Sequence, residues 1–274
     1  MYTNKYLIAL DLDGTLLTDK KTISIGTKRY LKALEKAGNL IVITTGRPPR
    51  SALPFYKRLN LKSPMICYNG AYCYNPSDEN FLPIKHLVSK DSLKEIYKNF
   101  IKDHIDSVMA ENLSNLYIDK EDCFLFTFYD NNNLTIKKGD ISENLDQDVF
   151  TFVMHTEDKS EENINFVKDY VSNNYDKIEV HFWGHNNYCE IQNKGVNKAA
   201  TVRKLLSLYG IDENHCITFG DSMNDIELIT EFKNGYVLRN GIKYVKNIAP
   251  NQTNFDNNHN GVKRQLETII NKNH

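Results

Sequence analysis

The chain has 274 residues, 41% of them hydrophobic and 25% charged, with a formal net charge of -1. That length admits one large domain or two unequal ones, and the composition is that of an ordinary globular protein, which excludes a fibrous or disordered chain. A charge so close to zero argues against nucleic acid or an acidic membrane as the main partner, so any anion must be held by a local site. From the N-terminus, the first element expected is a strand over Tyr6–Leu10 that runs into Asp11-Leu12-Asp13-Gly14-Thr15. An apolar run without alternation reads as a strand buried on both faces. Ending it in two carboxylates delivers charge to the carboxyl edge of a sheet, where open α/β sheets bind ligands. Carboxylates gathered there call for a cation, and Mg²⁺ takes carboxylates together with phosphate oxygens.

Ser24 is placed to cap a helix whose stripe is Tyr30, Leu31, Leu34 and Ala37, with Gly38 at its end. Leu40–Thr44 is a second apolar strand, stopping at Thr45-Gly46-Arg47-Pro48, and Pro64–Tyr68 a third, closed by Asn69-Gly70. Strands at this spacing with helices between them indicate βαβ units and a parallel sheet. Near Phe81 the pattern changes. Ser92 and Glu95 resemble a capping box ahead of the stripe Leu93, Ile96, Tyr97 and Phe100. Short aromatic-rich strands are expected at Val108–Glu111, Leu116–Ile118, Cys123–Tyr129 and Val149–Met154, with the polar stretch Asp130–Gln147 as a surface excursion. A helix over Glu161–Ser172 and strands at Ile178–Trp183 and Tyr188–Ile191 complete an α+β block. Alternation then returns. Asn197 caps a helix to Tyr209, Gly210 ends it, and strand His215–Phe219 leads into Gly220-Asp221-Ser222-Met223-Asn224-Asp225. Another helix to Phe232 and a short strand, Gly235–Leu238, follow.

The five cysteines, Cys67, Cys73, Cys123, Cys189 and Cys216, are odd in number and form no C-x-x-C pair. This argues against a disulfide framework or a zinc site and fits a reducing, cytoplasmic setting. Too few residues precede Asp11 for a leader peptide, and no apolar stretch reaches the ~20 residues of a spanning helix. Asparagine is abundant and follows no repeat, which reads as a coding bias.

Four segments fall at expected strand or helix ends: Asp11-Leu12-Asp13-Gly14-Thr15, Thr45-Gly46-Arg47, Lys198, and Gly220-Asp221-Ser222-Met223-Asn224-Asp225. Together, in this order, they resemble the haloacid dehalogenase-like superfamily of phosphatases, and best its Cof-like branch, which inserts a cap after the third strand. The resemblance extends over the whole chain, including the C-terminal Gly261-Val262 segment. It implies a doubly wound, mostly parallel Rossmann-like α/β core over residues 1–81 and 187–274 and an α+β cap over 82–186. It also implies a Mg²⁺-dependent phosphatase of small phosphorylated metabolites, such as sugar phosphates or related phosphomonoesters.

The chemistry of the residues points the same way. Asp11, at the strand tip, is the expected nucleophile, since a carboxylate can take a phosphoryl group and split one displacement into two. Asp13, two residues on, reaches the same zone to protonate the leaving oxygen and then to accept a proton from water. Asp221 and Asp225 lie four apart at a helix mouth. Alone they read as caps. Beside Asp11 and Asp13 they read as a cation site, because unit charges 4 Å apart repel by about 4 kcal/mol at a surface-like dielectric. The expected metal set is Asp11, Asp13, Asp221 and Asp225, with Asp225 either a direct ligand or a partner of one, and the resemblance implies that Asp13 contributes its backbone carbonyl. The expected phosphate- and substrate-binding set is Leu12, Thr45, Gly46, Arg47, Lys198 and Asn224. A lysine at a helix start opposes the helix dipole, which suits Lys198 to neutralising Asp11 and the phosphoryl group; Lys194 competes for that role. His181, Trp183, His185 and Tyr188 form a polar-aromatic cluster that reads either as substrate contact or as hinge packing. A sugar phosphomutase, or a metabolite-binding regulatory protein on the same scaffold, are the alternative functions. The expected partner is a small phosphomonoester, with neither nucleic acid nor membrane, and the chain itself a monomer or weak homodimer.

Overall fold

The computed structural model describes residues 5–102, 105–121, 134–155, 161–183 and 187–271. The chain divides into two compact units, one comprising Met1–Gly46, Ala52–Pro83 and Asn197–His274, the other Arg47–Ser51 and Ile84–Val196. In chain order the first segment carries β1 (Leu7–Leu10), α1 (Ile25–Lys36), β2 (Leu40–Thr44), α2 (Pro49–Leu59), β3 (Met65–Cys67) and β4 (Tyr72–Tyr74). The second unit follows with β5 (Ile84–Lys85), α3 (Lys90–Ile96), β6 (Ser107–Glu111), β7 (Asn115–Ile118), β8 (Thr135–Lys138), α4 (Ile141–Asn144), β9 (Thr151–His155), α5 (Glu161–Asn174), β10 (Ile178–Phe182) and β11 (Tyr188–Asn193). The chain closes with α6 (Lys198–Tyr209), β12 (Cys216–Gly220), α7 (Ile226–Thr230), β13 (Asn234–Val237), α8 (Lys243–Ile248), β14 (Asn251–Gln252) and α9 (Gly261–Asn271).

The first unit is an open α/β sheet ordered β14-β13-β12-β1-β2-β3-β4. All neighbours are parallel except β3 and β4. Residues Leu7 to Leu10 are fully buried, as expected of a strand covered on both faces. Leu7 pairs with Leu40 on one side and Cys216 on the other. Chain order therefore reverses at β1: β2 and β3 build outward one way, β12 and β13 the other. That is the topological switch point at which open α/β sheets bind their ligands. The helix boundaries follow local chemistry. Ser24 accepts the Thr27 amide at 3.0 Å and opens α1, whose buried stripe is Thr27, Leu31 and Leu34. Asn197 accepts the Ala200 amide at 2.8 Å and opens α6, and Gly210, at φ +62°, ends it.

The second unit is built on a six-stranded sheet ordered β10-β11-β9-β6-β7-β8, antiparallel except between β7 and β8. One face packs Val108, Ala110, Tyr117, Phe152, Met154 and Ile191 against Leu93, Ile96, Val167 and Val171 of the helices. The other face is mixed. Met109, Leu116, Ile118, Val153 and Tyr188 form an apolar cluster, yet Glu111 and Glu190 are buried beside it. Each carboxylate is satisfied. Arg50 grips Glu111 through both guanidinium amino groups, at 3.1 and 2.6 Å. Glu190 Oε1 accepts the Thr151 hydroxyl at 2.5 Å and the Gln192 amide at 3.0 Å. Buried charge is tolerated only when paired and hydrogen-bonded in this way.

Two local expectations change. Helix α3 is capped by Ser89, which accepts the Asp91 amide, and not by a Ser92 box; Ser92 lies inside the helix. The polar stretch after residue 130 holds β8 and α4, since Thr135–Lys138 pairs in parallel with Asn115–Ile118 although its side chains are largely exposed. The strand expected at Cys123–Tyr129 lies outside the described residues. The chain re-enters the first unit at Asn197, after β11 has paired with β9 and β10. None of the helices among the described residues is long and apolar enough to cross a membrane.

Candidate active site

Asp11 follows β1 directly, and its amide donates to the Phe219 carbonyl at 3.1 Å, so the β1–β12 ladder continues as far as Asp11. Asp221 follows β12 in the same way. Two adjacent parallel strands thus end in carboxylates on one edge. Asp11, Asp221 and Asp225 bring one carboxylate oxygen each to within 4.8 Å of one another. Lys198, the first residue of α6, lies fully buried among them. Its Nζ donates to Asp11 Oδ1 at 2.8 Å and to Asp225 Oδ1 at 2.7 Å. Lys194 is exposed, so the ammonium at the cluster comes from Lys198.

The second oxygen of Asp225 accepts the backbone amides of Asp221 and Ser222, at 2.9 and 3.1 Å. Asp225 thereby fixes both Lys198 and the loop carrying Asp221. Thr15 donates its hydroxyl to Asp221 Oδ1 at 2.7 Å. Burial pushes the Asp11 carboxyl well above the usual carboxylate range, against the pull of Lys198, and Asp225 and Asp221 push it the same way. Asp221 is raised to about 7, by burial first and by the charge of Asp225 second. Burial alone would lower the Lys198 pKa, but Asp11 and Asp225 more than compensate and hold it above its ordinary value. A cluster of three carboxylates with one ammonium is short of positive charge. Its donors are hard oxygens, the set that suits Mg²⁺. The residues fit such an ion.

The Asp13 carboxylate is not one of the three that meet; Lys21 Nζ donates to its Oδ1 at 2.6 Å. Lys21 was not singled out from the sequence, since a lysine at a loop position carries no pattern. Gly14 takes φ +78°, and a β-carbon there would sit 2.3 Å from Asp221 Oδ2. Substitution of Gly14 by alanine is therefore expected to strain the loop by roughly 1–2 kcal/mol and to displace Asp221. We expect at least a tenfold fall in kcat/KM, of order 1.4 kcal/mol in the barrier. Gly210→Ala, also at positive φ but with open space around its β-carbon, should lose thermal stability and keep its kinetics. Equal kinetic losses in the two variants would refute this reading.

Thr45, buried at the end of β2, is held by its amide to the Ile66 carbonyl at 3.0 Å. Its own carbonyl accepts the Asn69 amide at 3.1 Å. A β-carbon on Gly46 would approach Asn69 Oδ1 to 2.9 Å, and Asn224 donates its side-chain amide to that same oxygen at 2.9 Å. Asn69 thus ties the Thr45–Gly46 loop to the Asp221–Asp225 loop. Its signal in the sequence was the Asn-Gly pair closing the third strand. Leu12 is buried in the core, and its side chain is packing material. Arg47 groups with the second unit. In that unit His155 stacks on Tyr188, with centroids 4.3 Å apart, and Trp183 lies 5.6 Å from the same ring. Trp183 Nε1 donates to Glu190 Oε2 at 3.4 Å, and His181 Nε2 lies 3.3 Å from Glu179 Oε1. His185 and His104 lie outside the described residues.

An open α/β sheet with a carboxylate–lysine cluster at its switch point defines a hydrolase core of the phosphoryl-transfer type. The haloacid dehalogenase-like hydrolase pattern matches residues 8–266. The chain belongs to that family, within its Cof-like branch, and is a phosphatase, a phosphoric monoester hydrolase. It is 34% identical over 272 residues to the 5-amino-6-(5-phospho-D-ribitylamino)uracil phosphatase YitU of Bacillus subtilis, covering 97% of this chain and 98% of that one. It is 29% identical over 244 residues to YcsE of the same organism, which carries the same activity name, covering 89% and 87%. Among solved structures, the subclass IIB sugar phosphatase BT4131 superposes with a TM-score of 0.80 over 97% of this chain and 99% of that one, at 19% identity, a likeness of fold.

Proposed function

We propose that the protein hydrolyses small phosphomonoesters with Mg²⁺, through an aspartyl phosphate on Asp11. The observation that carries this reading is the buried lysine clamped between Asp11 and Asp225, with Asp221 alongside. Asp11 attacks phosphorus, forming a new P–O bond as the ester P–O bond breaks. Lys198 shields the attacking carboxylate from the phosphoryl oxygens. Asp13 gives its proton to the leaving oxygen, then takes one from the water that displaces Asp11 and frees phosphate. The backbone amides of Leu12 and Gly46 and the side chains of Thr45 and Asn224 hold the phosphoryl oxygens, with Arg47 at the substrate's edge. Asp11, Asp221 and the Asp13 carbonyl would hold Mg²⁺, with Asp225 orienting Lys198 and the Asp221 loop. Bound there, the ion would neutralise charge on the transferring group.

The relatives YitU and YcsE act on a phosphorylated ribityl-aminouracil by name. Their likeness supports a primary alcohol phosphate on a polyol chain as the substrate class, a close chemical kin of sugar phosphates, and a cytoplasmic setting fits such a substrate. The test is phosphate release from p-nitrophenyl phosphate and a panel of sugar, polyol and ribityl-aminouracil phosphates, in Mg²⁺ and after EDTA. Release confined to Mg²⁺, and fastest on polyol phosphates, is expected. Full release after EDTA would overturn the metal dependence, and indifference to the alcohol would overturn the substrate class.

A further inference from the structure

The loop that carries Asp13 is held from the far end of the chain by asparagines. Asn240 donates its side-chain amide to the Gly14 carbonyl at 2.7 Å. Asn257, buried, donates to the Leu17 carbonyl at 3.0 Å and to Asp19 Oδ1 at 2.9 Å. Asn258 donates to the other Asp19 oxygen at 2.8 Å and accepts the Asp19 amide at 3.1 Å. Asn260 accepts the hydroxyls of Ser24 and Thr27 where the loop enters α1. The two C-terminal segments are themselves joined, since the Asn257 amide donates to Asn240 Oδ1 at 3.1 Å. The segment around Asn240 also grips the neighbouring catalytic loop: the Ile242 amide donates to the Asp221 carbonyl at 3.0 Å.

We propose that Asn240 and Asn257 are positioning residues for the general acid. They fix two carbonyls, of Gly14 and Leu17, in the turn that directly follows Asp13, and through Ile242 they set that turn against the loop of Asp221. Neither side chain belongs to the carboxylate–lysine cluster. Their effect is on where the Asp13 carboxyl stands relative to the leaving oxygen, and proton transfer tolerates little misplacement. Between them the four asparagines meet backbone carbonyls, a carboxylate and two hydroxyls from the single segment Gly14–Thr27, which an apolar packing surface could not do. The Gly261-Val262 segment that the sequence singled out begins α9 directly after this latch. The proposal rests on the aspartyl-phosphate reading, with Asp13 as acid.

The variants are Asn240→Asp and Asn257→Ala. The first keeps the shape and the acceptor for the Asn257 amide but loses the donor to Gly14, and lies at an exposed position, so it keeps the test decisive if Asn257→Ala fails to fold. The readout is kcat/KM on glycerol phosphate, whose alkoxide must be protonated as it leaves, against kcat/KM on p-nitrophenyl phosphate, whose leaving group departs without a proton. Val245→Ala, a core truncation on the buried face of α8, controls for lost stability. General acid catalysis supplies about 10²–10⁴-fold, and we expect misplacement to remove roughly 10–100-fold of it on the alkyl ester alone. The aryl ester should change less than about threefold, and Val245→Ala should lower both equally or neither. An unchanged alkyl-to-aryl ratio in both asparagine variants, with the wild type active in Mg²⁺, overturns the latch. A wild type inactive in Mg²⁺, or an Asp11→Asn variant that remains active, overturns instead the reading on which it rests.

Discussion

Replacing Asp11 by asparagine is expected to abolish phosphate release while leaving the fold intact. Asparagine has the volume of aspartate and cannot form the acyl phosphate. The loss should reach roughly 10⁵-fold or more, the scale of removing a nucleophile in covalent catalysis. Stability should change little, because two effects oppose each other. Lys198 loses one of its two charged partners. At the same time a carboxyl that burial and the neighbouring Asp221 and Asp225 already disfavour as an anion becomes neutral. Steady-state turnover and a melting curve on the same preparation check both parts. Retained turnover would exclude Asp11 as the nucleophile.

Lys198→Met should damage both activity and stability. Its Nζ is the shared partner of Asp11 and Asp225, and removing one member of a buried ion network costs about 3–5 kcal/mol. The consequence for pH has a definite sign. Lys198 holds the Asp11 pKa down against burial, so without it that carboxyl titrates higher still. A group whose pKa is raised on folding stabilises the fold at low pH and loses that contribution as pH rises through the folded value. The deficit of the variant should therefore be larger at about pH 8 than at about pH 5. Melting temperatures across that range test it, and a constant deficit would mean that lost packing, not unpaired charge, is responsible. Lys198→Arg should not restore activity, since a planar fork cannot replace a compact ammonium between two fixed carboxylates.

The arrangement of the candidate site was readable in the sequence because its residues sit where secondary structure places them by rule. Asp11 and Asp221 end apolar strands, Lys198 begins a helix capped by Asn197, and parallel neighbours bring those ends to one edge. Local pattern sufficed wherever one residue's neighbours along the chain are also its neighbours in space. It failed where partners come from elsewhere. The Ser92 box was a plausible cap, but Ser89 sits one turn earlier and takes the first free amide. Strand β8 has a single large apolar side chain, Ile136, and is defined by its pairing with β7. The asparagines read as a coding bias, yet Asn240, Asn257 and Asn258 each bind a backbone or side-chain group of the Gly14–Asp19 loop more than two hundred residues away. No periodicity announces such a partner.

The position of β1 also has a consequence for biosynthesis. Its partner on one side, β2, follows it closely, while the other, β12, comes near the end of the chain. At a synthesis rate of roughly 5–20 residues per second, the roughly 200 residues between Leu7 and Cys216 take on the order of 10–40 s to emerge. For that interval a wholly apolar strand of the sheet has an open edge, the kind that recruits other strands. A nascent or truncated chain ending before Cys216 carries Asp11 next to an unpaired, aggregation-prone ladder. The last third of the protein thus acts on the first as its intramolecular chaperone, closing that edge in the same step that delivers Lys198 and Asp221 to Asp11.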